Sequence, residues 1–184
     1  MAEESTGLPD PEFEEMLSGG HPNSLGRTAE VVDQVLLQSD KLDRLISCYQ
    51  SNDEVVRLRT SNAIKRVCKT KPEWLVPHLP KLLGSILMIE QASAKWTLAN
   101  LFQMLCSHMD PDQLKLAKTI LKSNLENSSD WIVQKNTMET LSDWALTDRR
   151  LHRWLLPRLE SRTGDPRKAV AGAAIKQLEK LKDA

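Results

Sequence analysis

Four histidines, three cysteines and a scatter of serines are the side chains here that could bind a metal or act as nucleophiles, and their spacing argues against most of that chemistry. His21, His78, His108 and His152 stand in Gly-His-Pro, Pro-His-Leu, Ser-His-Met and Leu-His-Arg contexts. None forms the HExxH or H-x3-H pattern that puts two imidazoles on one helix face toward zinc. Cys48, Cys68 and Cys106 are odd in number and show no CxxC spacing, so they read as small core residues in a reducing compartment. No serine sits in a Gly-x-Ser-x-Gly elbow, and no glycine-rich loop could cradle a phosphate. The expectation is a chain with no catalytic residues, no cofactor and no metal.

Charge is the next chemical signal. Lys plus Arg and Asp plus Glu both total 25, but residues 1–26 hold six acids (Glu3, Glu4, Asp10, Glu12, Glu14, Glu15) and no Lys or Arg. The remainder, residues 27–184, therefore carries a surplus of about six positive charges. Its densest cluster is Arg149, Arg150, Arg153, Arg158 and Arg162, continued by Arg167 and Lys168. Clustered cations can contact phosphates. Arginines at helix ends more often pair with nearby acids, here Asp148, Glu160 and Asp165, so nucleic acid is the weaker of two partner expectations.

The elements that must position these residues are helical. Aromatics are 4% of the chain and there are only seven glycines, the usage of helices and not of sheets. From Arg27 onward apolar residues recur at three-and-four spacing, broken at Ser39-Asp40, Asn52-Asp53, Lys71-Pro72, Asp110-Pro111, Ser128-Ser129 and Gly164-Asp165. About nine helices fit, the last over Pro166–Lys182. Residues 1–26 read as a separate acidic, flexible tail in which turn-forming stretches bracket one short helix, Pro11–Leu17, capped by Asp10. Its acids mixed with Phe13, Met16 and Leu17 also suit a short docking peptide for a basic groove of this chain or of another, the alternative to a disordered tail. Residues 27–184 read as a single domain. No apolar run approaches the ~20 residues of a membrane span, and the N-terminus has no signal-peptide character, so the expected setting is the cytoplasm with no membrane partner.

Alternate helices repeat one pattern. An apolar lead residue is followed by Lys, Arg or Gln, then small or short residues four and seven positions on, and large apolar residues eight and eleven positions on. One copy is Val56, Arg57, Thr60, Ala63, Ile64, Val67; another is Ala94, Lys95, Leu98, Leu101, Phe102, Leu105; a third is Val133, Gln134, Thr137, Thr140, Leu141, Trp144. A degenerate fourth runs Arg167, Lys168, Ala171, Ala174, Ile175, Leu178. The lead positions lie 38, 39 and 34 residues apart, within the window of helix-pair repeats. Two of the intervening helices share a motif, Trp74-Leu-Val-Pro77-His-Leu79 and Trp154-Leu-Leu-Pro157-Arg-Leu159, in which the proline predicts a kink.

Asp53-Glu-Val-Val-Arg57 with Thr60 and Ala63-Ile64, and the Leu-Val-Pro-x-Leu run that follows, resemble the HEAT repeat of the ARM-type α-superhelix over about residues 40–182. The resemblance implies an all-α, right-handed α-α solenoid of about four helix pairs whose second helices line a concave face. It does not select a function, because HEAT arrays serve scaffolds, transport receptors, lyases and DNA glycosylases alike. At 100° per residue, the helix face opposite the apolar stripe carries the positions two, six, nine and ten after each lead residue. That gives four rows: Leu58, Trp96, Lys135, Ala169; Asn62, Asn100, Glu139, Ala173; Lys65, Gln103, Ser142, Lys176; and Arg66, Met104, Asp143, Gln177.

Trp96 stands out, because an indole at a solvent position is costly unless something covers it. The expected partner-binding residues are Leu58, Asn62, Lys65, Trp96, Asn100, Gln103, Met104, Lys135, Glu139 and Asp143. The expected function is a non-catalytic scaffold or protein-interaction module taking a protein or peptide. The alternative is a DNA alkylation-repair glycosylase of the HEAT-like type, in which Trp96 with Glu139 or Asp143 imitates the aromatic and acidic pair that the resemblance implies. The other tryptophans read as structural, Trp131 beside a capping Asp130 among them.

Overall fold

A computed structural model describes residues 8–21 and 24–182. Glu3 and Glu4 of the acidic segment, and Pro22-Asn23 of its second turn, lie outside the described residues. Among those described, every regular element is helical: α1 (Pro11–Leu17), α2 (Thr28–Leu37), α3 (Lys41–Ser47), α4 (Glu54–Thr70), α5 (Pro72–Leu75), α6 (Leu79–Leu82), α7 (Ala92–Leu105), α8 (Pro111–Asn127), α9 (Trp131–Ala145), α10 (Arg149–Arg162) and α11 (Lys168–Lys182), with 3-10 turns at Cys48–Gln50, Val76–His78, Ile86–Met88 and Cys106–His108.

The starts follow local chemistry. Asp10, Asp53, Asp110, Asp130 and Asp148 each occupy an N-cap, and each carboxylate accepts a hydrogen bond from a backbone N–H of the first turn. Asp110 and Gln113 complete a reciprocal capping box. Each such cap stabilises its helix by about 1 kcal/mol. Every break expected from the sequence falls between helices; only the last helix begins two residues later than expected, at Lys168.

The chain divides into two compact units, Met1–Thr97 and Leu98–Ala184, and the division falls within α7. In the first unit α2 and α3 pack on α4 and bury Val31, Val35, Leu42, Leu45, Val56, Ile64 and Val67. Burying each such side chain contributes roughly 1.5–3 kcal/mol, against which stands the entropy of ordering the chain.

The described part of the acidic segment packs on this unit, in place of the flexible tail expected there. Helix α1 forms where the sequence places it, capped by Asp10, and Phe13, Met16 and Leu17 are buried against α2 and α4. Arg44 of α3 binds Asp10 at 2.7 Å and Glu12 at 2.6 Å, and its guanidinium lies 5.1 Å from the Phe13 ring centre. The segment's acids and apolar side chains thus meet a complementary cation and an apolar groove on the same unit.

The two Trp-Leu-x-Pro motifs have different outcomes. Pro157 is held inside a continuous α10, whereas around Pro77 the backbone breaks into α5, a 3-10 turn and α6. The physical difference is a second proline: Pro80 follows Pro77 by three residues, so two successive turns lose a backbone donor.

In the second unit α9 is central, with α8, α10 and α11 packed around it. The burial pattern of α11 corrects the fourth repeat copy. Val170 is fully buried, as are Ala174 and, nearly so, Leu178 and Leu181, while Ile175 is 46% exposed. The lead residue of the fourth copy is therefore Val170 and not Arg167, and Val170, Ala174, Gln177, Leu178 and Leu181 take the positions of Val56, Thr60, Ala63, Ile64 and Val67. The spacings between Val56, Ala94, Val133 and Val170 become 38, 39 and 37 residues.

Contacts in two of the copies explain why Lys, Arg or Gln follows the lead residue. Arg57 donates to the Ser51 carbonyl at 2.6 Å, and Gln134 donates to the carbonyls of Leu125 at 2.8 Å and Ser128 at 2.7 Å. In both, a long polar side chain satisfies carbonyls left over at the end of the preceding helical segment.

Candidate partner-binding face

Positions two, six, nine and ten after the lead residue are expected to face away from the core, and all ten candidate residues have intermediate burial. In the first unit Leu58, Asn62 and Lys65 of α4 and Trp96 of α7 are half-buried. The Asn62 carboxamide oxygen accepts from Arg66 Nε at 2.8 Å, one turn along the same helix. Trp96 is partly covered and partly open, in contrast to Trp144, which lies in the core.

In the second unit Asn100, Gln103 and Met104 of α7 and Lys135, Glu139 and Asp143 of α9 are likewise half-buried. The structure brings three helices to one carboxylate. The Gln103 amide donates to one oxygen of Asp143, and Lys180 of α11 reaches the other. Glu139 faces Lys135 at 3.9 Å within α9. Both carboxylates have charged or amide partners, and both are partly exposed.

Lys180 was not among the residues expected from the sequence, because the misplaced fourth copy assigned Ala169, Ala173, Lys176 and Gln177 to the rows. Counted from Val170, the rows receive Gly172, Lys176, Glu179 and Lys180, all exposed, whereas Ala173 and Gln177 are buried. Ser142 also leaves its row: it is fully buried on the flank of α9. Among the tryptophans, Trp131 departs from the structural role expected of it and is 46% exposed, although Asp130 caps α9 as the sequence indicates.

A second residue that sequence reasoning passed over is Arg59 of α4. It is 2% exposed, yet no carboxylate pairs with it among the described residues. Its guanidinium donates instead to backbone carbonyls of Leu17 and Gly19 at 2.7 Å, Ser18 at 2.9 Å, Ser24 at 3.0 Å and His21 at 3.2 Å. Gly26, with φ of 51°, passes so close that a Cβ there would lie 2.9 Å from the guanidinium carbon. Arg59 lies three positions after Val56, on the edge of the apolar stripe, and a lone cation at such a position is the signal that could have exposed it.

The arginine cluster divides by role. Arg158 pairs with Glu126 at 2.7 Å, Arg162 donates to Gln134 at 2.8 Å and to backbone carbonyls, and Arg167 pairs with Asp165 at 2.7 Å. Asp148, expected to pair with an arginine, instead takes Lys118 of α8 at 2.8 Å, whose hydrogen bond holds the carboxyl at about 2. Arg149, Arg150 and Arg153 remain exposed.

Burial pushes the thiols of Cys48 and Cys68 up to about 12, which makes them poor nucleophiles. Among the described residues no cluster of His, Cys, Asp or Glu could hold a metal ion, and no helix is long and apolar enough to cross a membrane. No protein-family pattern matches the chain, and no curated protein is significantly similar to it.

Proposed function

We propose that the chain is a HEAT-type repeat protein that binds a protein or peptide through the outward faces of its repeat helices, without catalysis. The observation that supports this reading most directly is that ten residues spread over three repeat helices are half-buried, neither closed into the core nor fully open. Half-buried side chains on packed helices are held in place by their neighbours yet remain available, so binding costs little ordering entropy. The chemistry is mixed as protein-binding surfaces are: Trp96, Met104 and Leu58 supply apolar area, while Asn62, Asn100, Gln103 and Asp143 supply hydrogen-bonding groups. The cytoplasmic setting belongs to the same proposal, supported by three free cysteines of which two are buried.

The test compares proteins captured by the wild-type chain with those captured by Met104→Glu and by Trp96→Ala, each checked for unchanged melting. Loss of the same captured protein in both variants is the expected result. Identical capture by all three overturns the assignment of the face.

A further inference from the structure

Away from that face, the second unit carries a different kind of surface. Helices α8 and α10 are joined through side chains: Lys118 to Asp148 at 2.8 Å, Lys122 over the Trp154 ring at 4.7 Å, and Arg158 to Glu126 at 2.7 Å. Along α8 lies an open hollow of about 400 Å³, lined by Pro111, Leu114, Lys115, Lys118, Thr119 and Lys122, all of them residues of α8. Three of its six lining residues are lysines. With a rise of 1.5 Å per residue they stand about 4.5 and 6 Å apart along the axis, a ladder of positive charge and not a single point.

What holds these cations decides what they can bind. Lys118 is neutralised by Asp148, but Lys122 is held by an indole, which positions an ammonium without cancelling its charge. Arg158 lies 3.9 Å from the centre of the same ring, so Trp154 aligns two cations from two helices. Lys115 has no carboxylate within ion-pair distance among the described residues. The acids that do meet cations of α8 and α10, Asp148 and Glu126, are taken by Lys118 and Arg158. Lys115 and Lys122 thus keep their charge for a ligand.

We infer that the lysine-lined hollow of α8 is a binding site for the phosphate backbone of a single-stranded nucleic acid, separate from the face proposed for a protein partner. Lysines in sequence along an open groove match a ligand that repeats its charge along a line. Their partial pre-alignment by Trp154 and Asp148 lowers the ordering cost of closing on it. Thr119, exposed between Lys115 and Lys122, donates its hydroxyl to the Lys115 carbonyl at 3.0 Å and so leaves the lysines as the charged groups of this wall.

The experiment is fluorescence anisotropy of a labelled 20-nucleotide oligothymidylate with the full chain, from 50 to 200 mM KCl. Three phosphate contacts predict a loss of about 20-fold in affinity across that range, and the Lys115→Gln/Lys122→Gln double variant, left with one, a loss of only about 3-fold. Trp154→Leu keeps the charges and loses their alignment, so affinity should fall while the salt dependence stays that of the wild type. Lys168→Gln/Lys182→Gln, which removes the same charge from α11, should bind as the wild type does. Four results overturn the inference: no binding at 50 mM salt, equal weakening in the α11 control, an unchanged salt dependence in the α8 double variant, or binding of tripolyphosphate without binding of the strand.

Discussion

Replacing Arg59 by alanine should release residues 8–26 from the first unit. The guanidinium serves five carbonyls, three of them at 2.9 Å or less, from a side chain that is 2% exposed. A hydrogen bond to a charged group contributes about 1.5–3 kcal/mol, but the freed carbonyls of Ser18, Gly19, His21 and Ser24 lie in exposed residues and regain water. Only the Leu17 bond is fully buried, so the net loss is about 3 kcal/mol. The docked segment retains Phe13, Met16, Leu17 and the Arg44 pairs, so a loss of that size raises the undocked fraction by roughly two orders of magnitude without unfolding α2–α4. Arg27 is the first Lys or Arg in the chain, and it follows the clamped loop directly. Limited trypsin digestion therefore reads the release as faster cleavage after Arg27, followed by mass spectrometry. Arg59→Lys, with three donors in place of five, should lie between the two. If Arg59→Ala is cut after Arg27 no faster than the wild type, the carbonyl clamp is not what holds the segment.

Two other outcomes follow from the second unit. Leu178→Ala should cost about 2–5 kcal/mol and Ile175→Ala under about 0.5, measured by urea unfolding; equal costs would restore Arg167 as the lead residue of the fourth copy. Acid should weaken the α8–α10 contact, because the Asp148 carboxyl titrates at about 2, below the 3.8 of an unperturbed aspartate. Its contribution is present above about pH 4 and is lost as pH falls toward 2; in Asp148→Asn, which has nothing to titrate there, stability should fall less over that interval.

The helices were legible because the signals for starting and stopping them are local. Asp10, Asp53, Asp110, Asp130 and Asp148 cap their own first turns, and α1 could be read from Asp10-Pro11 alone. Its mixture of acids with Phe13, Met16 and Leu17 suggested a docking segment, but not where it docks, since the groove that receives Phe13 is made by α2 and α4, and the carbonyls that Arg59 binds lie some forty residues away. The fourth repeat register failed for a compositional reason. Ala169, Ala171, Ala173 and Ala174 supply small residues in two registers at once, and Ile175 supplied a false apolar marker. In the first three copies the rows follow from the helix angle alone, which puts the residues two and nine positions after the lead residue nearly opposite it and the residue ten positions on at the flank. Lys180 depended on the register and was lost with it. In the groove, the lysines were visible as residues, but the indole that leaves Lys122 charged is a contact between helices 32 residues apart.

The Gln134 amide, bound to the carbonyls of Leu125 and Ser128 while Arg162 binds its oxygen, has a bearing on how this sequence can change. The turn between α8 and α9 is tied at both ends to one side chain, so an inserted residue at 128–130 would pull the carbonyls off their donor. The connection that joins α6 to α7 has no such backbone tie from Lys95, the corresponding residue of its copy, which pairs with Glu90 on the surface; it is fixed only near its ends, by the buried Leu83 and Ile86 and by Gln91, which accepts from Arg57 and donates to the Glu54 carbonyl. Variation in length between related chains should therefore accumulate at residues 87–90 and be excluded from 128–130, making the first a place where new sequence can be added and the second a fixed measure of the repeat.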